Sequence, residues 1–215
     1  MKVINLGAKN SVLNKFMSEL RDENIQKDRM RFRENIKRIG HIEAYEASKL
    51  LDYSTKTITT PLAPCEMNTY DDDIVLATVF RAGLPLHEAF LDVFDEAGNG
   101  FLSAYRYYLD KECTKIGVKI EYMATPSQTD KTLIIVDPML ATGGSAIDAI
   151  SLIKQHGGKR IKFMAIIGAP EGVRALHEAH PDVQIYIGHI DRELNDDAYI
   201  CPGLGDAGDR IFGTK

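Results

Sequence analysis

Residues 132–148 read TLIIVDPMLATGGSAID, and the fold turns on this stretch. Thr132 and four aliphatic residues, Leu133 to Val136, run on without a break, as in a strand covered on both faces. Asp137 ends the run, Thr142-Gly143-Gly144-Ser145 follows, and Ile147, Ile150 and Ile153 then recur at helical spacing. A strand that ends in an acid and a small-residue loop that opens a helix occupy the place where α/β sheets bind ligands, beyond the carboxyl ends of their strands.

The alternation continues outward from there. The helix that begins near Gly144 stops at Gly157-Gly158; IKFMAIIG (161–168) reads as a strand, PEGVRALHEAH (170–180) as a helix and VQIYIGHI (183–190) as a strand. Upstream, DIVLATVF (73–80) is a strand and LPLHEAFLDVF (84–94) a helix. Strands and helices in turn, with nearly uninterrupted apolar strands, predict an α/β fold: a mostly parallel central sheet with helices on both faces and right-handed crossovers. Residues 11–50 read as helical, with Leu13, Phe16, Met17 and Leu20 and then Phe32, Ile36 and Ile39 as apolar stripes. The charged segment between the stripes fits a solvated face. Residues 51–70, rich in Thr and Pro, predict loop and short strands, and 98–129 a smaller strand-and-loop hood that includes VKIEYMA. The expected organisation is one domain over 1–215, with 1–50 as an N-terminal helical extension that suits the clasping of subunits.

The 215 residues carry 26 basic and 31 acidic side chains, a net charge of -5, which supplies no general attraction to nucleic acid or anionic membrane. Cys65, Cys113 and Cys201 form no CxxC pair, so a disulfide or metal framework is not expected and a reducing compartment is the simpler setting. The start, MKVINLGAKN, lacks the apolar core of a signal peptide, and no run reaches membrane-spanning length; the expectation is a cytoplasmic protein.

Spacing alone leaves two readings of the TGGS loop. One is an anion cradle, because the first amides of a helix have no partner within it and Gly143 and Gly144 let the backbone come close. The other is a flexible connection into a helix, with Asp137 capping a turn. The loop lacks the lysine of GxxxxGK[ST] and is not GxGxxG, so an ATPase loop and a dinucleotide fold are both disfavoured. A single terminal phosphate is the ligand this loop fits best, with the hydroxyls of Thr142 and Ser145 as added donors and Asp137 at the strand end, where it can accept from sugar hydroxyls. The segment CPGLGDAGD (201–209) is an irregular turn by its Pro and Gly content, suited to matching a flat polar ring through main-chain groups or simply to leading into a tail.

VDPMLATGGS (136–145) resembles the phosphoribosyl pyrophosphate-binding motif of uracil phosphoribosyltransferases, and YICPGLGDAGDRIFGTK (199–215) resembles their uracil-binding segment and tail. APEGVRALHEAHPDV (169–183) and FRAGL (80–84) follow the same pattern. The likeness is dense from Thr132 to Lys215 and thinner before Phe80.

The resemblance implies transfer of ribose 5-phosphate from phosphoribosyl pyrophosphate (PRPP) to N1 of uracil, giving UMP and pyrophosphate, with Mg²⁺ bound through the diphosphate and no protein metal cluster. It implies that Ala141, Thr142, Gly143, Gly144 and Ser145 hold the 5-phosphate and that Asp137 lies by the ribose. Arg81, Ala82 and Gly83 would form the pyrophosphate-side loop. Ile200 and Gly205 would read the uracil edge through the backbone, with Asp206 near ribose, metal waters or base. Arg106, in SAYRYY, resembles the arginine at a family strand end and is a second catalytic candidate beside Arg81 and Asp137, with a chance surface arginine as the other reading. The transition state places positive character on the sugar and negative charge on the leaving group, so alignment and fixed charge matter more than a covalent nucleophile. An ordinary carboxylate is too weak a base for uracil, which casts Asp137 as a positioner.

His87 and His177 read as packing or surface histidines ahead of acid catalysts, His156 as a helix C-terminal residue, and Tyr105, Tyr107 and Tyr108 as packing. Two departures stand out: TVFRAG (78–83) replaces PILRAG, and YRYYLDKECTKIGVKIEYMATPS (105–127) replaces the acid-rich covering loop. The second raises an alternative, a nucleotide- or PRPP-binding regulatory protein of the same fold without efficient transfer. A homodimer or higher homo-oligomer and activation by GTP, as in some relatives, are further expectations of the resemblance.

Overall fold

The computed structural model describes residues 3–108 and 116–213. The stretch that opens the molecule's logic is a strand as expected, β7 (Thr132–Val136), buried along its whole length. In chain order before it come β1 (Val3–Asn5), α1 (Val12–Arg21), α2 (Arg29–Ser48), β2 (Tyr53–Thr59), β3 (Pro64–Tyr70), β4 (Ile74–Phe80), α3 (Leu84–Leu91), β5 (Gly98–Tyr108) and β6 (Ile116–Ala124). After it come β8 (Met139–Leu140), α4 (Gly144–Gln155), β9 (Arg160–Gly168), α5 (Pro170–Ala179), β10 (Gln184–Ile190), β11 (Glu193–Leu194), β12 (Ile200–Cys201) and α6 (Ala207–Phe212).

The main sheet runs β1-β10-β9-β7-β4-β5-β6, with β8 added to the end of β9. Every pairing in it is parallel except β5 with β6. Alternate side chains of each strand feed opposite faces. Ile74, Leu76, Ile134, Val136, Met164 and Ile166 pack on one face against Leu20 of α1, Phe32, Ile36 and Ile39 of α2, Leu86 and Phe90 of α3 and Ile211 of α6. Val75, Ala77, Leu133, Ile135, Phe163 and Ala165 pack on the other face against Ala149, Ile150 and Ile153 of α4 and Val173 and Leu176 of α5. Burial on both sides is why these strands read as continuous apolar runs.

The helical expectation for 11–50 resolves into two helices. Ser11 caps α1 by accepting from the Leu13 amide, and Asp28 caps α2 by accepting from the Arg31 amide. Gly40 lets α2 lie close on α3, since a Cβ there would stand 2.7 Å from that of Ala89. Within the densely charged stretch Gln26 and Asn35 are buried, and just before it Glu19 is buried too, gripped by Arg31 at 2.8 and 2.9 Å and by Asn35 at 2.8 Å. Those donors, the guanidinium first, hold its carboxyl down to about 2.

Three boundaries differ from the sequence reading. Residues 53–70 form a regular antiparallel hairpin, β2 with β3, set apart from the main sheet: Tyr53, Thr55, Thr57 and Thr59 take alternate positions of β2, and the pairing runs from Tyr53–Tyr70 to Thr59–Pro64. The third helix stops at Leu91, with Asp92 as its C-cap, where the reading carried it to Phe94. In the hood, β5 and β6 are long, eleven and nine residues, where short strands were expected. Residues 109–115, including Cys113 and part of the departing segment, lie outside the described residues.

α4 ends as the two glycines require. Gly157 takes φ +96 and its N–H bonds to Lys154 O, while Gly158 N–H returns to Ile153 O, both at 3.1 Å. His156 sits at that C-cap with Nδ1 2.8 Å from Leu152 O. His87 is buried in packing, Nε2 2.7 Å from Asn99 Oδ1 and its ring 5.2 Å from that of Phe101; burial lowers its pKa. His177 is half-buried on α5. Among the described residues no helix is long and apolar enough to cross a membrane.

Candidate functional site

β7 and β4 are neighbours, Ile74 to Thr78 running in register with Thr132 to Val136, so their carboxyl ends open side by side. β12 and α6 close the third side. Between these ends lies a cleft of about 660 Å³, a volume in the ordinary range for small-molecule sites.

Its first wall is the loop between β8 and α4. Ala141, Thr142, Gly143, Gly144 and Ser145 all line the cleft. Gly143 is the N-cap of α4 at φ +88, a left-handed conformation that side chains other than glycine's rarely adopt. Its own side chain position is closed as well, because a Cβ would stand 3.0 Å from Gly172 O. The first bond within the helix runs from Ile147 N–H to Gly143 O, so the amides that precede it lie at the positive end of a twelve-residue helix. Gly172 of α5 backs this loop: a Cβ there would collide with the Ala141 carbonyl and approach that of Leu140 to 2.9 Å. Reasoning from sequence missed Gly172; an isolated glycine inside the helical pattern PEGVRA was the available signal.

Asp137 lines the same cleft just past β7. Its amide donates to Met164 O at 3.1 Å, and its Oδ1 accepts from Met139 N–H at 3.3 Å. The turn-capping reading and the cleft-facing reading therefore both hold for this residue.

The second wall comes from β4. Arg81 and Ala82 line the cleft, and the Arg81 guanidinium lies over the Phe212 ring at 5.5 Å. The Phe80–Arg81 peptide bond is cis. Gly83 is behind the wall: it starts α3, and a Cβ there would strike Thr78 Oγ1 and stand 3.0 Å from Val79 O. Thr78 Oγ1 in turn donates to Val136 O at 3.2 Å, tying β4 to β7 at the level of the cleft. The backbone of β5 places Arg106 opposite Val118, and its side chain lies outside the described residues.

The third wall is the C-terminal segment. Ile200, Gly205 and Asp206 line the cleft, with Ala207 to Asp209 beside them. The Cys201–Pro202 bond is cis, Gly203 takes φ +63 and Gly205 φ +85. Asp206 is also the N-cap of α6, its Oδ1 accepting from Asp209 N–H at 3.0 Å. Asp197 and Ala198 add a rim that sequence reasoning did not assign, and Tyr199, the first residue of the 199–215 segment, joins it. Asn195 shapes it: its Oδ1 accepts from the amides of Asp197 and Tyr199 at 3.1 and 2.8 Å, and Ala198 takes φ +62.

Among the described lining residues, Arg81 shares the cleft with four aspartates, Asp137, Asp197, Asp206 and Asp209. Among the described residues no three His, Cys, Asp or Glu side chains converge to hold a metal ion. A phosphorylated ligand here would meet amide donors at α4 and carboxylates elsewhere, an oxygen-rich setting that calls for a hard countercation carried largely by the ligand's own oxygens.

The profile of the family described as uracil phosphoribosyltransferase matches residues 8–214. The chain is 47% identical over 217 residues to the uracil phosphoribosyltransferase of Porphyromonas gingivalis, covering 100% of both chains. It is 45% identical over 187 residues to that of Staphylococcus aureus, covering 86% of this chain and 87% of the relative. The fold superposes on the structure of a protein from Aquifex aeolicus with a TM-score of 0.88, 31% identity and 99% of each chain covered. A hypoxanthine phosphoribosyltransferase of Staphylococcus aureus, at TM-score 0.53, 15% identity and coverage of 75% and 76%, shares the fold alone.

Proposed function

The chain belongs to the uracil phosphoribosyltransferase family, and on that premise we infer that its cleft joins uracil to the ribosyl phosphate of PRPP, releasing UMP and diphosphate. The N1–C1 bond forms, the C1–O bond to diphosphate breaks, and the N1 proton leaves with solvent or product. One observation carries this reading: the helix-opening loop 141–145 and Ile200, Gly205 and Asp206 of the C-terminal segment line one and the same cleft, though more than fifty residues of chain separate them.

In this reading the amides and hydroxyls of Ala141 to Ser145 take the 5-phosphate. The α4 terminus favours the dianion, and Gly143 allows the close approach. Asp137 accepts from the ribose hydroxyls, held in place by its bond to the Met139 amide. Arg81 and Ala82 stand on the diphosphate side, where the guanidinium offsets the charge that builds on the leaving group; Gly83 holds that turn against Thr78. Arg106 is assigned to the same side. The main chains of Ile200 and Gly205 match the alternating carbonyl and N–H edge of uracil, which needs no charged partner. Asp206 fixes the start of α6 beside them. Mg²⁺ supplies charge neutralisation and orientation of the diphosphate when bound, with the substrate's oxygens as its principal ligands.

Residues 1–50 belong to the same transferase domain in this reading, and the protein works as a homo-oligomer in the cytoplasm, with GTP as an effector. The test is UMP formation by the purified protein from uracil and PRPP, with and without Mg²⁺ and GTP, against a panel of other bases. Metal-dependent release of diphosphate with uracil alone is the expected result. UMP or PRPP binding without diphosphate release would overturn it.

A further inference from the structure

The last residue of α1, Arg21, and the residue just after β10, Asp191, are not among the residues that line the cleft and stand 170 positions apart in sequence, yet they form a two-pronged ion pair. Arg21 Nη1 donates to Asp191 Oδ2 at 2.8 Å and Nη2 to Oδ1; the Asp191 side chain is 0% exposed and that of Arg21 20%. Planar pairing of this kind fixes direction as well as distance. His189 Nε2 lies 3.8 Å from Asp191 Oδ1 on the open side.

Both partners also reach one residue of the C-terminal segment. Asp191 Oδ2 accepts from Gly203 N–H at 2.8 Å, and Arg21 Nη1 donates to Gly203 O at 3.0 Å. The two main-chain polar groups of Gly203 are thus gripped by one ion pair. Gly203 is buried, follows the cis Cys201–Pro202 bond and takes φ +63, and it lies between Ile200 and Gly205. The pair is itself anchored: Asp191 N–H donates to Gly168 O at the end of β9 at 2.8 Å, and the next amide, Arg192, donates to Cys201 O at 3.1 Å. Among the described residues neither side chain hydrogen-bonds to the loop 141–145.

We propose that Arg21 and Asp191 are positioning residues for base selection, holding Gly203 so that the main chains of Ile200 and Gly205 meet the base edge at a fixed distance from the phosphate loop. This rests on the reading of 200–206 as the base-recognising segment. A turn that recognises its ligand only through backbone groups has no side-chain rotamer to adjust, so its accuracy depends on whatever grips it from behind. Displacement of such a turn weakens base binding and leaves the sugar phosphate site as it was.

The test uses the full-length protein and three variants, Arg21→Lys, Asp191→Asn and the double variant Arg21→Met with Asp191→Leu. The double variant removes both charges together, so that neither is left without its partner, a replacement that is often neutral or stabilising in other proteins. Steady-state kinetics should show the KM for uracil raised at least tenfold in every folded variant, with the KM for PRPP within threefold of the parent. Hydrogen exchange should quicken in 200–206 and not in 141–146. A variant that melts with the parent and keeps its uracil KM within twofold overturns the proposal. So does a parallel rise in both constants, or failure of all three variants to fold, each of which makes the pair a general folding element. If the parent protein itself forms no UMP, the assignment of the cleft fails, a result distinct from any of these.

Discussion

Glu43 lies on α2 with no exposed surface, and among the described residues its carboxylate meets no side-chain donor or cation, only the main chain of Gly188. Glu19, by contrast, is also buried but surrounded by donors. Desolvation disfavours the charged form of Glu43 and pushes its pKa from 4.5 to about 8, the main chain of Gly188 alongside pulling the other way. Between those two values the folded chain keeps a proton that the unfolded chain has released. Stability is therefore fully present below pH 4.5 and is lost as pH climbs through about 8. From 4.5 to pH 7 the loss is about 3 kcal/mol at ~1.36 kcal/mol per pH unit, and it approaches about 5 kcal/mol above pH 8. Glu43→Gln keeps the shape and cannot ionise. Urea unfolding of both proteins at pH 5, 6, 7 and 8, at one protein concentration, should show a difference of about 1 kcal/mol or less at pH 5 that widens to about 4 kcal/mol at pH 8 in favour of the variant. At pH 7 the melting midpoint of the variant should stand about 6–12 °C higher, at roughly 2–4 °C per kcal/mol for a chain of this size. Other titrating groups cancel in the comparison, so a difference that stays flat with pH would refute the reasoning.

Gly143→Ala forces a side chain into the left-handed region, at a cost of about 1–2 kcal/mol, and against Gly172 O; the KM for PRPP should rise about tenfold with that for uracil little changed, read by varying each substrate in turn. Gly172→Ala presses on the same loop from behind through the Ala141 carbonyl and should give the same kinetic signature with a lower melting midpoint. Asp137→Asn should lower turnover or PRPP affinity. Asp206→Asn keeps an acceptor for the Asp209 amide and should melt with the parent, whereas Asp206→Ala should lose about 1 kcal/mol. If neither Asn variant alters turnover or PRPP affinity, the roles given to both carboxylates are wrong.

Much of the molecule was readable residue by residue. The unbroken apolar run at Leu133 to Val136 required cover on both faces, and two core clusters provide it. The paired glycines at 157 and 158 required the end of α4, and the TGGS stretch required a loop into a helix; local conformational preference is enough to specify each. The motifs at 136–145 and 199–215 carried the functional resemblance for the same reason, since their Gly and Pro pattern is tied to backbone shape. Other features had no local signature. Which strand ends lie together depends on the order β9-β7-β4-β5, and only that order brings Arg81 beside Asp137. The hold of Arg21 and Asp191 on Gly203 joins three distant segments, and no periodicity in any one of them encodes the meeting. Glu43 reads as one more charge in a polar helix until α2 is laid on the sheet and the face carrying it turns inward. Periodicity determined which residues needed cover, and packing decided what covered them.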